Sequence, residues 1–202
     1  MEVDNFAIIK KELSFANKDE FYFLQILQRN KDGHKDVNGR NKNRLIKSYY
    51  IHSVEELEKH KEKIKELCVN NGARAYINLN VRNFKEVCLG CISKYSELVL
   101  NEESLHGYNV WDKVCGINRA KGYKMLWLID VDKSEDLEEI KNIIEDCKGG
   151  EEKIKCIIST VHGYHIMSYG FSREEFYQKI KEKGMGYIDI HKDNPTLLYY
   201  NG

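Results

Sequence analysis

The sequence has only one proline, Pro195, and no stretch rich in serine or glycine. Linkers between domains are commonly rich in these residues. Their scarcity predicts a single domain that spans residues 1–202. Hydrophobic residues make up 42% of the chain and charged residues 32%, a balance that is typical of globular proteins.

Long apolar runs and an excess of one charge are also missing. No stretch reaches the 18 apolar residues that indicate a membrane-spanning helix, and the acidic N-terminus does not have the pattern of a secretory signal. We therefore expect a cytoplasmic protein with no membrane partner. The 32 basic and 32 acidic residues cancel, so a nucleic acid would have to bind to a local basic face.

The six cysteines, without a secretory signal, indicate free thiols or a metal site rather than a disulfide framework. Cys88 and Cys91 have the spacing of zinc ligands, and His106 and Cys115 would complete a zinc site. The first two also fall on the apolar stripe of a helix predicted over 83–100, and cysteine is commonly buried. Both interpretations remain open.

Hydrophobic periodicity predicts strands that alternate with helices, with two hairpins interrupting the alternation. This pattern favours an α+β fold, in which helices cover one face of a mixed β-sheet and the other face forms a groove. We expect strands over 21–27, 45–51, 73–79, 125–132, 154–159, 164–169, 185–190 and 196–200, and longer helices over 53–70, 83–100, 135–147 and 172–183.

An acidic motif ends the predicted strand over 125–132. Five apolar residues precede Asp130-Val131-Asp132, and the alternation of side chains along a strand puts both aspartates on one face. Two carboxylates this close repel each other unless a cation lies between them, and Mg²⁺ and Mn²⁺ prefer such oxygen ligands. The alternative is an ordinary strand-to-helix loop, with Asp132 near the helix N-terminus.

A second motif, Ser-Thr-Val-His-Gly-Tyr-His over 159–165, has the pattern of a strand, a tight turn and a strand. Gly163 permits the turn, and a hairpin would bring Ser159 and His165 near one ligand. The alternative for a lone histidine in an apolar strand is a hydrogen-bonded core residue. Asp189, between Ile188 and Ile190, must be exposed, paired or bound to a metal.

These two motifs resemble motifs I and II of the archaeo-eukaryotic primase (primase–polymerase) superfamily. In that superfamily an acid–apolar–acid strand end is followed by Ser-x-x-x-Gly-x-His and then by a third acid on a later strand. The matching residues are Asp130 and Asp132 for motif I, Ser159, Gly163 and His165 for motif II, and Asp189 as the third acid. Asp193 is the second choice for the third acid.

The resemblance implies a catalytic core like the RNA-recognition fold (RRM-like) and a metal-dependent nucleotidyltransferase that acts in replication or repair. The three acids Asp130, Asp132 and Asp189 would hold Mg²⁺ or Mn²⁺, while Ser159 and His165 would contact the phosphates of the nucleotide. It further implies a nucleic acid template and primer, nucleoside triphosphates, a helicase or other replication protein as partners, and a phage or mobile element as the source.

The chain departs from this pattern between Ser159 and Gly163, where the superfamily often has arginine or lysine. Here only His162 is able to take that role, and Arg74, Lys121 or Lys124 would have to supply the missing charge.

Two further basic or polar segments have two interpretations each. The basic stretch over 29–47 is either a solvated loop or a contact to a phosphate backbone. The polar face of the strand over 73–79, with Arg74, Tyr76 and Asn78, either lines a groove or is ordinary surface.

Two other functions remain open. A metal-dependent nuclease or phosphodiesterase would use the same acids, with His165 or His162 as general base. A non-catalytic nucleic-acid-binding accessory protein is favoured by the missing basic residues of the second motif.

Overall fold

A computed structural model describes residues 1–30, 43–101, 109–133 and 136–202. These ranges contain six helices and ten strands. In chain order they are β1 (Glu2–Asp4), α1 (Phe6–Glu12), β2 (Glu20–Gln28), β3 (Arg44–Ile51), α2 (Val54–Asn71), β4 (Arg74–Ile77), β5 (Arg82–Asn83), α3 (Phe84–Leu100), α4 (Val110–Ile117), β6 (Trp127–Val131), α5 (Leu137–Asp146), β7 (Ile154–Ser159), β8 (Tyr164–Ser168), α6 (Arg173–Glu182), β9 (Asp189–Lys192) and β10 (Thr196–Asn201).

The strands form two sheets, and the predicted α+β class is confirmed. The first sheet has six strands in the order β1-β10-β4-β2-β3, with β5 paired to β2, and the second has four in the order β7-β8-β6-β9. The prediction of a single mixed sheet is wrong, because every pair of strands in the described ranges is antiparallel. Strands distant in sequence pair with each other, which the local hydrophobic pattern does not encode.

The helices begin and end where the sequence provides caps. The Ser53 hydroxyl accepts a hydrogen bond from the Glu56 amide at the start of α2, and Gly72 ends that helix with a left-handed φ of 53°. Ser172 caps α6 in the same way, through the Glu175 amide.

The predicted strand over 185–190 is corrected to a later start, at Asp189. Gly184 has a φ of 67°, and the amide of Met185 donates to the carbonyl of Ile180. Residues 184 and 185 therefore terminate α6 by bonding to its last turn. Only after this cap is the chain free to pair with β6.

Three clusters of buried side chains hold the elements together. The largest joins the two sheets to α1 and α2, through residues such as Ile77 and Met167. A second packs the far face of the four-stranded sheet on α5 and α6, and a third packs β2 on α3 and α4. In the described ranges, no helix is long and apolar enough to cross a membrane.

A buried ion pair fixes the loop between β9 and β10. Arg82 is completely buried, and its guanidinium donates to both carboxylate oxygens of Asp193, at 3.1 and 3.2 Å. The same guanidinium donates to the carbonyls of Asn80, Cys115 and Gly116. The ion pair thus holds Asp193 in a left-handed conformation, with a φ of 59°. This conformation is unfavourable for residues other than glycine, so it needs a strong stabilising contact.

We expect the substitution Arg82→Met to lower the free energy of unfolding by about 3–5 kcal/mol, since it leaves a carboxylate and several carbonyls without their donor. Urea denaturation measures this loss. The matched control is Lys85→Met, which removes an exposed ion pair with Asp19 and should not change the midpoint measurably. Equal midpoints for Arg82→Met and the parent would contradict the role given to Arg82.

Candidate functional site

A cleft of about 640 Å³ lies between the two sheets. The four-stranded sheet contributes Asp130, Asp132 and Asp189 to its lining, and the other side contributes Arg29 and Arg74. The size falls in the range of about 300–1,000 Å³ that is usual for small-molecule sites. Carboxylates on one wall therefore face guanidinium groups on the other.

The acids and the histidine are brought together by the register of three strands. Asp130 on β6 lies directly opposite Asp189 on β9 and opposite His165 on β8. Directly opposed residues of an antiparallel pair point to the same face. Asp189, Asp130 and His165 thus form a row across the sheet, and Asp132 follows just beyond the end of β6.

His165 is held within this row by a hydrogen bond to the first sheet. Its Nδ1 lies 2.8 Å from the hydroxyl of Thr196, and its Nε2 lies 3.6 Å from a carboxylate oxygen of Asp130. Burial, with smaller contributions from His191 and Arg29, lowers the pKa of His165 to about 4. The imidazole is therefore neutral at neutral pH, so its contact with Asp130 is not an ion pair.

The environment of Asp130 disfavours the charged form of its carboxyl group. Burial raises the pKa of its carboxyl group, and the neighbouring charges of Asp132 and Asp189 raise it further. His191 and Arg29 act in the opposite direction. The same-sign neighbours make a bound cation favourable at this position, because it would relieve their mutual repulsion.

Gly163 couples the two motifs directly. The turn at residues 160–163 is closed by two hydrogen bonds, from Thr160 N to Gly163 O at 2.8 Å and from Gly163 N to the Thr160 hydroxyl at 3.0 Å. A Cβ atom on Gly163 would overlap the carbonyl oxygen of Val131 and crowd the backbone of Asp132. The glycine is thus required because the turn lies against the acid-bearing strand end.

The opposite wall is formed by the polar face of β4. Tyr76 accepts a hydrogen bond from the Arg29 guanidinium at 3.1 Å, and Arg74 stacks on Tyr200 with 4.5 Å between its guanidinium carbon and the ring centroid. Asn78, also buried, donates to the carbonyl of Asp193. Arg74 and Tyr76 therefore line the groove, as one of the two interpretations of this face expects, whereas Asn78 does not line it. Of the basic stretch, residues 31–42 lie outside the described residues.

Some of the predicted nucleotide-binding residues do not reach the cleft. Ser159 lies opposite Tyr164 in the hairpin, so its side chain is on the other face of the sheet from His165. Its carbonyl accepts a hydrogen bond from Asn5. Lys124 lies near the opposite end of β6 from Asp130 and lines a separate cavity beside Tyr169.

Of the remaining residues, one lines the cleft, one is bound elsewhere and one was missed. His162, a predicted nucleotide-binding residue, lines the cleft through its position in the turn. Asp193, the second choice for the third acid, is bound to Arg82 instead. His191, which also lines the cleft, was missed, although it follows Asp189 by two residues and therefore shares its face.

The donor set fits a hard divalent cation, since three carboxylates supply only oxygen ligands. In the part of the chain that the structure describes, no three acidic, histidine or cysteine side chains already surround a common point where a metal ion would sit. Asp130, Asp132 and Asp189 therefore line one cleft without forming a preassembled metal site.

The predicted zinc site is not completed by the described residues. Cys91 and Cys115 are buried in the apolar cluster between β2 and helices α3 and α4. Burial raises the pKa of Cys115 to about 12, which opposes the thiolate form that zinc requires. His106 lies outside the described residues, so zinc binding stays a prediction.

Comparisons of the chain with models of protein families, with curated proteins and with solved structures found no match. The resemblance to the primase–polymerase superfamily therefore stays a prediction from the motifs. The chemistry of the site is inferred from its own geometry.

We expect Gly163→Ala to lower the free energy of unfolding by roughly 1–3 kcal/mol, because the added methyl group overpacks the contact with β6. Thermal or urea unfolding measures the change. Gly150→Ala is the matched control, since no atom lies within 4 Å of a Cβ there. If both variants unfold like the parent, the close contact between the two motifs is not as described.

Proposed function

We propose that the chain is a metal-dependent nucleotidyltransferase of the primase–polymerase type, with an RRM-like catalytic core. The observation that supports this best is the cross-strand row of Asp189, Asp130 and His165. The motifs identify these residues separately, and the register joins them at one cleft. A nucleic acid primer and template, nucleoside triphosphates and a helicase or similar replication protein are the proposed partners.

In this proposal the carboxylates of Asp130, Asp132 and Asp189 hold the cations of the site. Bound Mg²⁺ or Mn²⁺ would neutralise charge on the attacking and leaving oxygens of a phosphoryl transfer. Asp130 lies between Asp189 and His165, so it would be the central carboxylate of the ligand set. The neutral imidazole of His165, fixed by Thr196, is able to hydrogen-bond a phosphate oxygen without adding a charge.

The triphosphate would lie against the arginine wall. Arg29 and Arg74 line the same cleft as the acids, and guanidinium groups bind phosphate oxygens in a bidentate manner. They supply the positive charge that the second motif lacks between Ser159 and Gly163. This charge supports a catalytic role over that of a non-catalytic accessory protein.

The pKa of His165 argues against this residue as the general base of a nuclease. A general base works best with a pKa near the working pH, whereas burial lowers that of His165 to about 4. A nuclease that depends on this histidine as its base would therefore be inefficient. His165 is better suited to positioning a phosphate group.

We expect Asp132→Asn to abolish metal-dependent nucleotide incorporation while leaving the fold intact, because the substitution removes a negative ligand without changing the side-chain size. Extension of a labelled primer on a template, with Mn²⁺ and nucleoside triphosphates, measures this. Asp146→Asn, which changes an exposed aspartate on α5, is the control and should extend primers at the parental rate.

Incorporation by Asp132→Asn at the parental rate would refute the proposal. Shortening of the primer without extension in the parent protein would instead assign the site to hydrolysis. Both results appear in the same gel.

We expect Arg29→Gln to raise the KM for the nucleoside triphosphate about tenfold or more, with kcat largely retained, since a charged hydrogen bond to phosphate contributes to binding before the chemical step. Steady-state extension kinetics measure both constants. Lys124→Gln is the comparison, because Lys124 lines the other cavity and should leave KM unchanged. A raised KM for Lys124→Gln together with a parental KM for Arg29→Gln would show that the triphosphate lies elsewhere.

A further inference from the structure

Tyr187 is an exposed aromatic residue that the proposed chemistry does not use. It is 76% exposed, compared with 48% for Phe84 and Tyr95. Its ring lies parallel to that of Tyr177, with an interplanar angle of 5° and 5.6 Å between centroids. With so much of the ring in solvent, the face turned away from Tyr177 is accessible.

Tyr177 anchors this ring pair to the core. Its ring packs on Phe176 at 5.4 Å between centroids, and its hydroxyl donates to the carbonyl of Ile188 at 3.2 Å. The guanidinium of Arg173 lies 5.8 Å from the same ring. Tyr187 is thus oriented in advance, so little side-chain entropy is lost when another flat ring stacks on it.

The position of Tyr187 relates it to the acids. It lines a cavity of about 120 Å³ together with Asp130, Asp132 and Asp189. These three acids also line the large cleft, so they border two openings, the cleft and the smaller cavity. Tyr187 precedes Asp189 by two residues, which limits the distance between their Cα atoms to about 7 Å.

The two openings suit two different reactants. In phosphoryl transfer the attacking and leaving oxygens lie roughly in line, on opposite sides of the phosphorus. The opening with Arg29 and Arg74 is suited to the triphosphate that supplies the leaving group. The attacking strand end would then approach from the other opening, which Lys133, Asp136 and the aromatic ring of Tyr187 also line.

We propose that Tyr187 is a stacking platform for the terminal base of a single-stranded nucleic acid end. Aromatic side chains bind bases in this way regardless of sequence, since every base has a flat face. Arg173 supplies a nearby positive charge for the strand. This inference rests on the proposed function, because that function identifies the opening at Asp189 as the place where a strand end reacts.

The test is binding of a short oligonucleotide that carries the fluorescent base 2-aminopurine at its 3′ end, with Mg²⁺ and without nucleoside triphosphates. Stacking quenches the fluorescence of this base, so the parent protein should quench it on binding. We expect Tyr187→Ala to bind about tenfold more weakly and to lose the quench. Tyr187→Phe keeps the ring and should retain both.

Tyr95→Ala, which removes another exposed tyrosine, is the matched control and should behave like the parent. With 2-aminopurine at the 5′ end, the quench should disappear in every variant. Parental binding and quenching by Tyr187→Ala would overturn the proposal, as would equal losses in the Ala and Phe variants. Circular dichroism confirms that each variant is folded before titration.

Parallel titrations with oligodeoxythymidine and oligouridine distinguish DNA from RNA. If Tyr187→Ala binds more weakly in either series, the stacking platform is supported and the type of strand is identified. If it binds like the parent in both series, the proposal is refuted. The assay needs no chemistry, so its outcome is independent of incorporation. If Asp132→Asn keeps incorporation, the proposed function fails; if only Tyr187→Ala is without effect, this inference alone fails.

Discussion

The register of β6 between its two neighbours is the constraint on which the site depends. Backbone hydrogen bonds to β8 and β9 place Asp130 level with both His165 and Asp189. A slip by one residue would turn Asp130 toward α5 and α6 and bring Ile129 into the cleft. Gly163 adds a second restraint, since its turn lies against the end of the same strand.

Charge is distributed unevenly in a chain whose total charge is zero. The acids of the site lie on or next to the four-stranded sheet, while Arg29 and Arg74 lie on or next to the other sheet. Burial raises the pKa of Asp130, and the neighbouring carboxylates of Asp132 and Asp189 raise it further, so the cluster is electrostatically unfavourable. Such a cluster is kept at the expense of stability, which is common where a site is built to bind an ion or substrate.

The sequence predicted the local features well and the long-range ones poorly. Period-two alternation predicted one face for Asp130 and Asp132, and both residues line the cleft. The face of Ser159 was not predictable, because it depends on a register that the turn over 160–163 sets. The pairing of Arg29 with Tyr76, and the division into two sheets, depend on contacts between distant segments, which local periodicity does not contain.

The division of the cleft between two sheets has a mechanical consequence. A ligand that contacts Asp189 on one side of the cleft and Arg74 on the other links the two sheets. The hydrogen bond between His165 and Thr196 already links them in the absence of a ligand. Because such a ligand binds only the folded arrangement, its binding free energy adds to the stability of both sheets. Amide hydrogen exchange would then slow together in β4 and β9, although these strands share no hydrogen bonds.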